Sequence, residues 1–461
     1  MGVAVMSFGL HPEPEDEVER VQWRGETYRR RKTAPNTISC LFGEFTLTRH
    51  VYECLEPGER CIIPFELECG IVAGLATPAL AERVGCWSAD VEQRQIREML
   101  QQDHQVGWSV TSLRKVTKAV SDGVVEPGRL TRRERVVALL EEAEESKGKH
   151  RPTLACGRDG VMTPIRKKNP EVKAEVPAKI VPKSSKKKRS SKQKKESGYQ
   201  EASTGTLSVH DRRGKRLGTI YYGQMPEKRQ VGLSTQLQVA IAFILTTIHD
   251  RDLPCPRLSY VTDAGKNQRN FYHQILEKLK NPWHAEKKLN WDWTVDFYHA
   301  CTSLGLMAES LFADPKKGLK WYRLMRHWLR HRKRGVSEVL RSATQNENRR
   351  TLTKARRKAF RKAYLYLRRH RKYMNYAERA KLKLPIGSGV TEAACKTVFT
   401  ERMKRSGMTW KIEGGQTILE LRVLVLSKVW DQSYRASLRN QTVPTKLSYA
   451  SKRSKTTAKA A

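Results

Sequence analysis

The sequence predicts an α/β fold in which a mixed β-sheet is flanked by helices. The first observation is the order of elements after residue 152, where three strand-like segments precede an apolar helix, a strand, an amphipathic helix and a final strand. The second is the position of two acids, since Asp159 lies within the first of these segments and Asp263 directly follows the fourth strand. The ends of adjacent strands in such a sheet bring carboxylates together.

Turn residues separate the strand-like segments. The first segment contains the pair Asp159-Gly160, which predicts a tight turn between two short strands. A hairpin with Gly214 at its turn follows, and each later strand is reached through a helix. The predicted strand segments are 153–165, 207–211, 216–223, 258–262 and 291–295, and the helices between them are 236–248 and 267–279. This is the order of elements in an RNase H-like domain.

The charge of the chain indicates a polyanionic partner. Lys and Arg number 88 against 48 Asp and Glu, which gives a formal net charge of +40 and a pI near 10.1. A compact state with this charge repels itself unless polyanions neutralise it. Phosphates supply the matching charge, and the release of their counterions favours binding. We therefore expect a nucleic-acid partner, with a solvated basic surface or a ribosomal-type scaffold as the alternatives.

Cysteine use and apolar patterning indicate an intracellular protein. The nine cysteines form no disulfide framework, and the N-terminus lacks the pattern of a secretory signal. The longest apolar stretch, 237–248, is too short to span a bilayer. Cys54 and Cys61 have a C-x6-C spacing that does not match common zinc sites, so no zinc is assigned. We expect a soluble protein in a reducing compartment, with no membrane partner.

Composition divides the remainder of the chain into segments. The helical region contains a turn at Gly107 before a helix capped by Ser109, which fits either a helix-turn-helix or an ordinary three-helix unit. The expected segments are a flexible N-terminus (1–36), a small β unit (37–75), a helical DNA-binding region (76–145), the first part of the RNase H-like core (150–300) with a disordered basic loop (167–203), a basic all-α insertion (301–384), the last part of the core (385–436) and a flexible basic tail (437–461).

Three acids occur where an RNase H-like sheet would bring them together. Asp159 and Asp263 belong to neighbouring strands, and Glu392 lies near the start of a helix entered through 387–389. Carboxylates are hard ligands suited to Mg²⁺ or Mn²⁺, and two such ions can activate a nucleophile and stabilise the leaving oxygen of an in-line displacement. Each acid also has a simpler interpretation, as a turn residue, a helix cap and a partner of a helix dipole, respectively.

The most specific motif surrounds the third acid. The segment 384–396, Leu-Pro-Ile-Gly-Ser-Gly-Val-Thr-Glu-Ala-Ala-Cys-Lys, resembles the last-acid motif of the ISKra4 family of bacterial insertion-sequence transposases. Further similar segments are 159–162, 260–263, 295–299, 402–410 and 413–416. The resemblance implies an RNase H-like catalytic domain, a DDE triad of Asp159, Asp263 and Glu392, two divalent metal ions and DNA strand transfer.

The same resemblance suggests roles for residues near the triad. Asp296 and His299 form a D-x-x-H pattern similar to one found after the second acid in this family. The His would hold a phosphate or orient the site, and a structural hydrogen bond at a strand end is the alternative. Basic and aromatic residues just beyond the last acid are expected to hold the DNA end through its backbone, namely Lys404, Arg405, Trp410 and Lys411.

Together these features predict a DDE transposase that cleaves DNA at transposon ends and joins them to target DNA. A metal-dependent nuclease that hydrolyses without joining and a catalytically silent DNA-binding regulator are the alternatives. The expected partners are double-stranded DNA and further copies of the chain, and the expected location is the bacterial cytoplasm, at the nucleoid. The spacing of 129 positions between Asp263 and Glu392 exceeds what a plain RNase H core needs, which favours an all-α insertion.

Overall fold

Nine strands form two sheets in the part of the chain that the structure describes. The computed structural model describes residues 18–56, 61–166, 198–349, 351–442 and 448–451. The strands are β1 (Val18–Trp23), β2 (Glu26–Cys40), β3 (Gly43–Cys54), β4 (Thr153–Pro164), β5 (Tyr199–His210), β6 (Arg216–Gln224), β7 (Arg257–Thr262), β8 (Trp291–Val295) and β9 (Ser448–Ser451). One sheet is antiparallel, in the order β3-β2-β1-β9.

The helices precede, alternate with and follow the strands of the second sheet. They are α1 (Pro64–Glu68), α2 (Pro78–Asp90), α3 (Gln93–His104), α4 (Val110–Glu145), α5 (Val231–Asp250), α6 (Lys266–Gln274), α7 (Phe297–Leu311), α8 (Pro315–His331), α9 (Gly335–Asn348), α10 (Lys354–His370), α11 (Tyr376–Lys381), α12 (Gly389–Ala394), α13 (Glu401–Met403), α14 (Ile412–Leu426) and α15 (Trp430–Thr442). A π-helical segment, Cys395–Thr400, connects α12 to α13.

The second sheet has five strands in the order β6-β5-β4-β7-β8. β5 is antiparallel to both β4 and β6, whereas β4, β7 and β8 are parallel to one another. The register pairs Gly157 with Val261 and Thr262 with Val295. The carboxyl ends of β7 and β8 therefore lie beside the point where the parallel pairing of β4 with β7 stops, while β4 continues to Pro164. The predicted α/β class, with a mixed sheet flanked by helices, is confirmed.

One strongly apolar helix, α5, packs in the core of this sheet. It buries Leu233, Leu237, Ile241 and Ile244, whose spacing of three and four residues places them on one helical face. Among the described residues, Lys228–Asp250 is the one helix that is long and apolar enough to cross a membrane by length and composition. Its packing in the core accounts for that composition.

The longest helix, α4, joins two hydrophobic cores. Its first half buries Leu113 and Val120 together with residues of α2, α3, α14 and α15. Its second half buries Val136 and Leu140 in the core of the five-stranded sheet. The helix continues through Pro127 without ending. The helical region expected at 76–145 is therefore not separate from the sheet, because one helix belongs to both cores.

The chain termini differ from the prediction of flexible segments at 1–36 and 437–461. β1 and most of β2 lie between residues 18 and 36, α15 continues to Thr442, and β9 pairs with β1. The run Arg29-Arg30-Arg31-Lys32 lies within β2 and hides the apolar alternation of a strand. The pairing of β1 with β9 depends on backbone groups, which leave little trace in side-chain patterning. Residues 1–17 and 452–461 lie outside the described residues.

Two predictions around β4 and β5 are also corrected. The pair Asp159-Gly160 makes no turn, since β4 runs straight through it and pairs these residues with Thr204 and Ser203 of β5. An added Cβ at Gly160 would meet only the flexible, exposed side chain of Glu201, so neither a turn nor tight packing explains this glycine. The basic loop predicted at 167–203 ends earlier, because β5 begins at Tyr199. Residues 167–197 lie outside the described part of the chain.

Candidate active site

Three aspartates lie in one row across the parallel strands, with Asp159 within β4 and Asp263 and Asp296 directly after β7 and β8. Asp159 and Asp263 each lie two residues beyond the last paired residues of β4 and β7. Asp296 directly follows β8, and its backbone N–H donates to the carbonyl of Thr262 at 2.8 Å. The shared register places the three acids side by side across the edge of the sheet. The sequence prediction included all three, but assigned Asp296 only an orienting or structural role.

Asp296 is saturated by four hydrogen bonds. Its side chain is 0% exposed. Oδ1 accepts from the backbone N–H of His299 at 2.7 Å, which caps α7, and from Nδ1 of the same residue at 3.3 Å. Oδ2 accepts from the hydroxyl of Ser388 at 2.9 Å and from its backbone N–H. Burial acts to raise the pKa of Asp296, but these bonds outweigh it and lower the pKa to about 2.

Close packing of α12 against the sheet brings Glu392 to the same edge. The hydroxyls of Thr391 and Thr206 hydrogen bond at 2.9 Å, which attaches α12 to β5. A Cβ added to Gly157 would lie 1.9 Å from Oγ1 of Thr391, so the helix can approach β4 only where β4 has a glycine. The hydroxyl of Ser388 lies 2.9 Å from Oε1 of Glu392. Ser388, which also holds the end of β8, thereby positions Glu392.

Asp159 is mostly buried but has few hydrogen-bond donors. Its Oδ1 accepts from the backbone N–H of Gly160 at 2.7 Å, and its Oδ2 lies 3.5 Å from Sγ of Cys395. Burial raises the pKa of Asp159, and the nearby negative charges of Asp263 and Glu392 raise it further. The three acids predicted from the sequence therefore form one electrostatic cluster. A cation among them would relieve both the burial cost and the mutual repulsion.

A tight turn and a tyrosine hold Asp263 at the end of β7. Its Oδ1 accepts from the backbone N–H of Gly265 at 3.0 Å, across Ala264, which is buried in the left-handed region with a φ of 62°. The hydroxyl of Tyr366 donates to the carbonyl of Asp263 at 3.0 Å. Tyr366 belongs to α10, so the basic helices directly contact the site. Oδ2 of Asp263 accepts no hydrogen bond from any residue that the structure describes.

His299 places a positive charge between two carboxylates. Its Nδ1 lies 3.3 Å from Oδ1 of Asp296 and 3.6 Å from Oε1 of Glu392. The hydrogen bond with Asp296 raises the pKa of His299 to about 9, outweighing its partial burial, and the charges of Asp296, Asp263 and Glu392 contribute further. The ring is therefore protonated at neutral pH. Since it is 47% exposed, it also faces solvent at the mouth of the site.

Two overlapping sets of residues offer ligands to a metal ion. Within the described ranges, Asp296, His299 and Glu392 are the one group of three whose ligand atoms all lie within 4.8 Å of one another. Hydrogen bonds already occupy both oxygens of Asp296, which favours an ion pair with His299 in the metal-free protein. Asp159, Asp263 and Glu392 offer carboxylate oxygens of the type that Mg²⁺ and Mn²⁺ bind, but their ligand atoms do not all lie within 4.8 Å of one another in this structure.

The residues expected to hold DNA beyond the last acid have different surroundings. Arg405 donates to the carbonyl of Asp90 at 3.1 Å and to a carbonyl of α13, so it attaches this segment to the end of α2. Trp410 forms a β-bridge with the residue after β4, and its ring N–H donates to a carbonyl of α13 at 2.9 Å. Lys404 and Lys411 are exposed. Contact of all four with DNA stays a prediction.

Sequence patterns assigned no role to three residues that build the site. Ser388 precedes Glu392 by four positions, a spacing at which helical side chains meet, and that spacing is a usable signal. Arg158 is a charged residue inside an apolar strand, directly before Asp159, and it is 2% exposed. Tyr366 lies in a run of basic helices, and nothing local distinguishes it. Its contact with the end of β7 depends on the tertiary fold alone.

No family model and no curated protein matches the chain. The interpretation of the site therefore depends on its own geometry and chemistry. Those features define a cluster of acids at the carboxyl edge of a mixed sheet, with a cationic His299 beside Glu392 and a saturated Asp296 beneath it.

Proposed function

We propose that this chain is a DDE-type transposase with an RNase H-like catalytic core. In this proposal it cleaves DNA at the ends of a mobile element and joins those ends to target DNA. The strand order β6-β5-β4-β7-β8 supports the fold, because its first three strands are consecutive in sequence and antiparallel, and two helix-strand units complete the sheet. We interpret the helices α7 to α11 as the all-α insertion that separates β8 from the last acid.

The observation that carries the proposal is the convergence of three carboxylates from distant parts of the chain. Asp159 and Asp263 come from adjacent parallel strands, and Glu392 comes from a helix packed on β4. The negative charges of Asp263 and Glu392 act on Asp159 to raise its pKa. Such a group is unfavourable unless something neutralises it. Functional sites are where proteins commonly retain arrangements of this kind.

Asp159, Asp263 and Glu392 would hold two Mg²⁺ or Mn²⁺ ions. When bound, such ions supply activation of a water or 3′-hydroxyl and stabilisation of the leaving oxygen. Ser388 and His299 both approach Oε1 of Glu392, at 2.9 and 3.6 Å, and so orient this carboxylate. Its Oε2 has no hydrogen-bond partner among the described residues, which leaves that oxygen for a ligand.

The basic helices beside the cluster support DNA as the substrate. Residues 301–384 contain 25 Lys and Arg against 5 Asp and Glu, so this segment supplies half of the net charge of the chain. Many of these cations are exposed, among them Arg323, Arg330, Arg361 and Arg368. Tyr366 of α10 touches Asp263, which places the basic surface next to the acids. We propose that duplex DNA lies along these helices and that copies of the chain assemble on paired DNA ends.

A cleavage and strand-transfer assay tests the proposal. The substrates are DNA ends that flank the gene and a separate target plasmid, incubated with Mg²⁺ and either wild-type protein or Glu392→Gln. We expect nicked and joined products with the wild type and neither product with the variant. Nicking without joining would favour the nuclease alternative. Tight binding without any cutting would favour the silent regulator and contradict the proposal.

A further inference from the structure

A cavity of about 630 Å³ lies between α3, α4 and the segment that follows the last acid. Its walls come from the start of α3, the second and third turns of α4, the residues after β4 and the segment 402–418. Arg166, which belongs to its lining, follows Asp159 by seven residues of nearly extended chain, a distance of roughly 20 Å. The cavity is therefore separate from the acid cluster and lies beyond the carboxyl end of β4.

The lining of this cavity is strongly cationic. It contains one acid, Glu92, against six cations, namely Arg94, Arg114, Lys118, Arg166, Arg402 and Lys411. Two of the six pair with exposed carboxylates of their own helices, at 2.6 and 3.0 Å, and exposed pairs of this kind contribute little. The side chains of Arg166 and Lys411 are exposed and have no ion-pair or hydrogen-bond partner in the described part of the chain. Positive charge in the cavity is therefore largely uncompensated.

One wall of the cavity holds a buried cation without a carboxylate partner. Arg402 is 2% exposed, and its Nη2 donates to two backbone carbonyls at 2.9 and 3.3 Å. The neighbouring Arg405 and Arg422 each lie 3.8 Å from a carboxylate oxygen, whereas Arg402 makes no such pair within the described ranges. Burial, together with the charges of Arg405 and Arg422, lowers the pKa of Arg402 to about 10. An anion in the cavity would stabilise its charged form.

Two helices begin at this cavity. α3 begins after Glu92 and α14 begins after Lys411, both residues belong to the lining, and neither helix has a side-chain cap at this end. The first backbone N–H groups of a helix have no partner within the helix, and this end carries a partial positive charge. Both properties favour an anion, and phosphates commonly bind there. The helix ends thus add to the effect of the cations.

We propose that this cavity binds a backbone phosphate of duplex DNA, away from the bond that is cleaved. This inference rests on the proposed function, since it takes DNA to be the partner. Six cations exceed the charge of one free phosphate ion, and Lys115 and Lys404, which flank the lining in sequence, are further exposed cations. This extent of charge suits a polyanion. Arg166 and Lys411, whose side chains have no other partner, meet the phosphate.

Binding of a fluorescent DNA duplex in EDTA tests this inference. Full-length wild type and the double variant Arg166→Ala/Lys411→Ala are titrated at several salt concentrations. We expect the variant to bind about tenfold more weakly and the slope of log affinity against log salt to fall by about 1 to 2, because phosphate contacts are lost. The control Arg213→Ala/Lys215→Ala removes the same charge from two exposed residues of the β5–β6 hairpin, beside the start of β4. It should bind within about twofold of wild type, since salt screens distant charges.

The outcomes separate this inference from the proposed function. Equal loss of affinity in the two double variants would overturn it, and so would wild-type affinity in the variant of Arg166 and Lys411. Binding of inorganic phosphate that depends on these two residues, with DNA binding unchanged, would assign the cavity to a free anion and also overturn it. A wild type that binds no DNA would contradict both proposals. Because EDTA prevents metal-dependent cleavage, the assay of strand transfer can fail while the loss of affinity stands, and the reverse also holds.

Discussion

The middle of β4 and the end of β8 each present an aspartate in the same row of one sheet, but the surroundings of the two aspartates differ. At β8, Asp296 accepts four hydrogen bonds, which lower its pKa to about 2 despite its burial. At β4, Asp159 accepts from one backbone N–H and one thiol, and burial and neighbouring charge raise its pKa. The number of hydrogen-bond donors, and not the depth of burial, distinguishes the two aspartates. A saturated carboxylate holds the fold together, whereas an unsaturated one remains available to a ligand.

Removing an available carboxylate should have the largest effect of all. We expect Asp263→Asn to lower the rate of Mg²⁺-dependent DNA cleavage by about 10³-fold or more, equivalent to about 4 kcal/mol, because the cluster loses a ligand. Single-turnover cleavage measures this change. The matched control is Asp292→Asn, which alters a half-exposed acid on β8 that pairs with Arg379 and should leave the rate unchanged. Cleavage by Asp263→Asn at the wild-type rate would refute the assignment of the acids.

The attachment of α12 to β4 should show the next largest effect. Gly157→Ala places a methyl group against Oγ1 of Thr391, and we expect a loss of about 3 kcal/mol in the free energy of unfolding, together with loss of cleavage. Urea unfolding measures the first quantity. Gly414→Ala is the control, since a Cβ there meets nothing within 4 Å. Equal stability of the two variants would contradict the close contact between β4 and α12.

At the β8 end, the saturated carboxylate should act on stability. We expect Asp296→Asn to lower the free energy of unfolding at neutral pH by about 2 kcal/mol, the difference that corresponds to a pKa held near 2 instead of its ordinary value. A carboxyl with a lowered folded-state pKa stabilises above its ordinary pKa, and this contribution is lost as the pH falls. The gap between wild type and variant should therefore close between about pH 4 and about pH 2. A difference in unfolding free energy between wild type and variant that stays constant over this pH range would contradict the lowered pKa of Asp296.

The smallest effect, with the opposite sign, is expected at Asp159. Its raised pKa means that the ionised form is disfavoured in the folded protein, so its charge costs stability above the ordinary pKa of an aspartate. We expect Asp159→Asn to raise the Tm in EDTA, by less than Asp296→Asn changes it. We also expect Mg²⁺ to raise the Tm of the wild type and not that of Asp159→Asn. Differential scanning fluorimetry with and without Mg²⁺ measures both. A lower Tm in EDTA would mean that Asp159 is structural after all.

Local patterns were sufficient for several elements of the fold. The sequence predicts a strand at 258–262, and the structure has β7 at Arg257–Thr262. Ser109 was predicted to cap a helix, and its Oγ accepts from the backbone N–H of Ser112 at 3.0 Å. The Asp159-Gly160 pair was wrongly predicted to form a turn, because β4 continues through it and pairs with β5 on both sides. A local pattern cannot tell a glycine in a turn from one within a strand.

Long-range contacts explain why much of the site could not be predicted. Ser388 is placed by Asp296, 92 positions earlier in the chain, and Thr391 is placed by the glycine at 157. The sequence around one residue of each pair does not predict the other. The same holds for the saturation of Asp296, which depends on donors from two separate elements. Sequence identified the acids, but their division into structural and available carboxylates emerges only from the fold.

The length of α4 has a geometric consequence. Its 36 residues span about 54 Å, and its first turns present Thr111, Arg114, Lys115 and Lys118 to solvent while its last turns lie in the core of the five-stranded sheet. Each residue of a helix adds about 1.5 Å and about 100° of rotation. A single insertion after Pro127 would therefore rotate the basic face of the first turns relative to the five-stranded sheet. The number of residues in this helix sets both the distance and the rotation between the two cores that it joins.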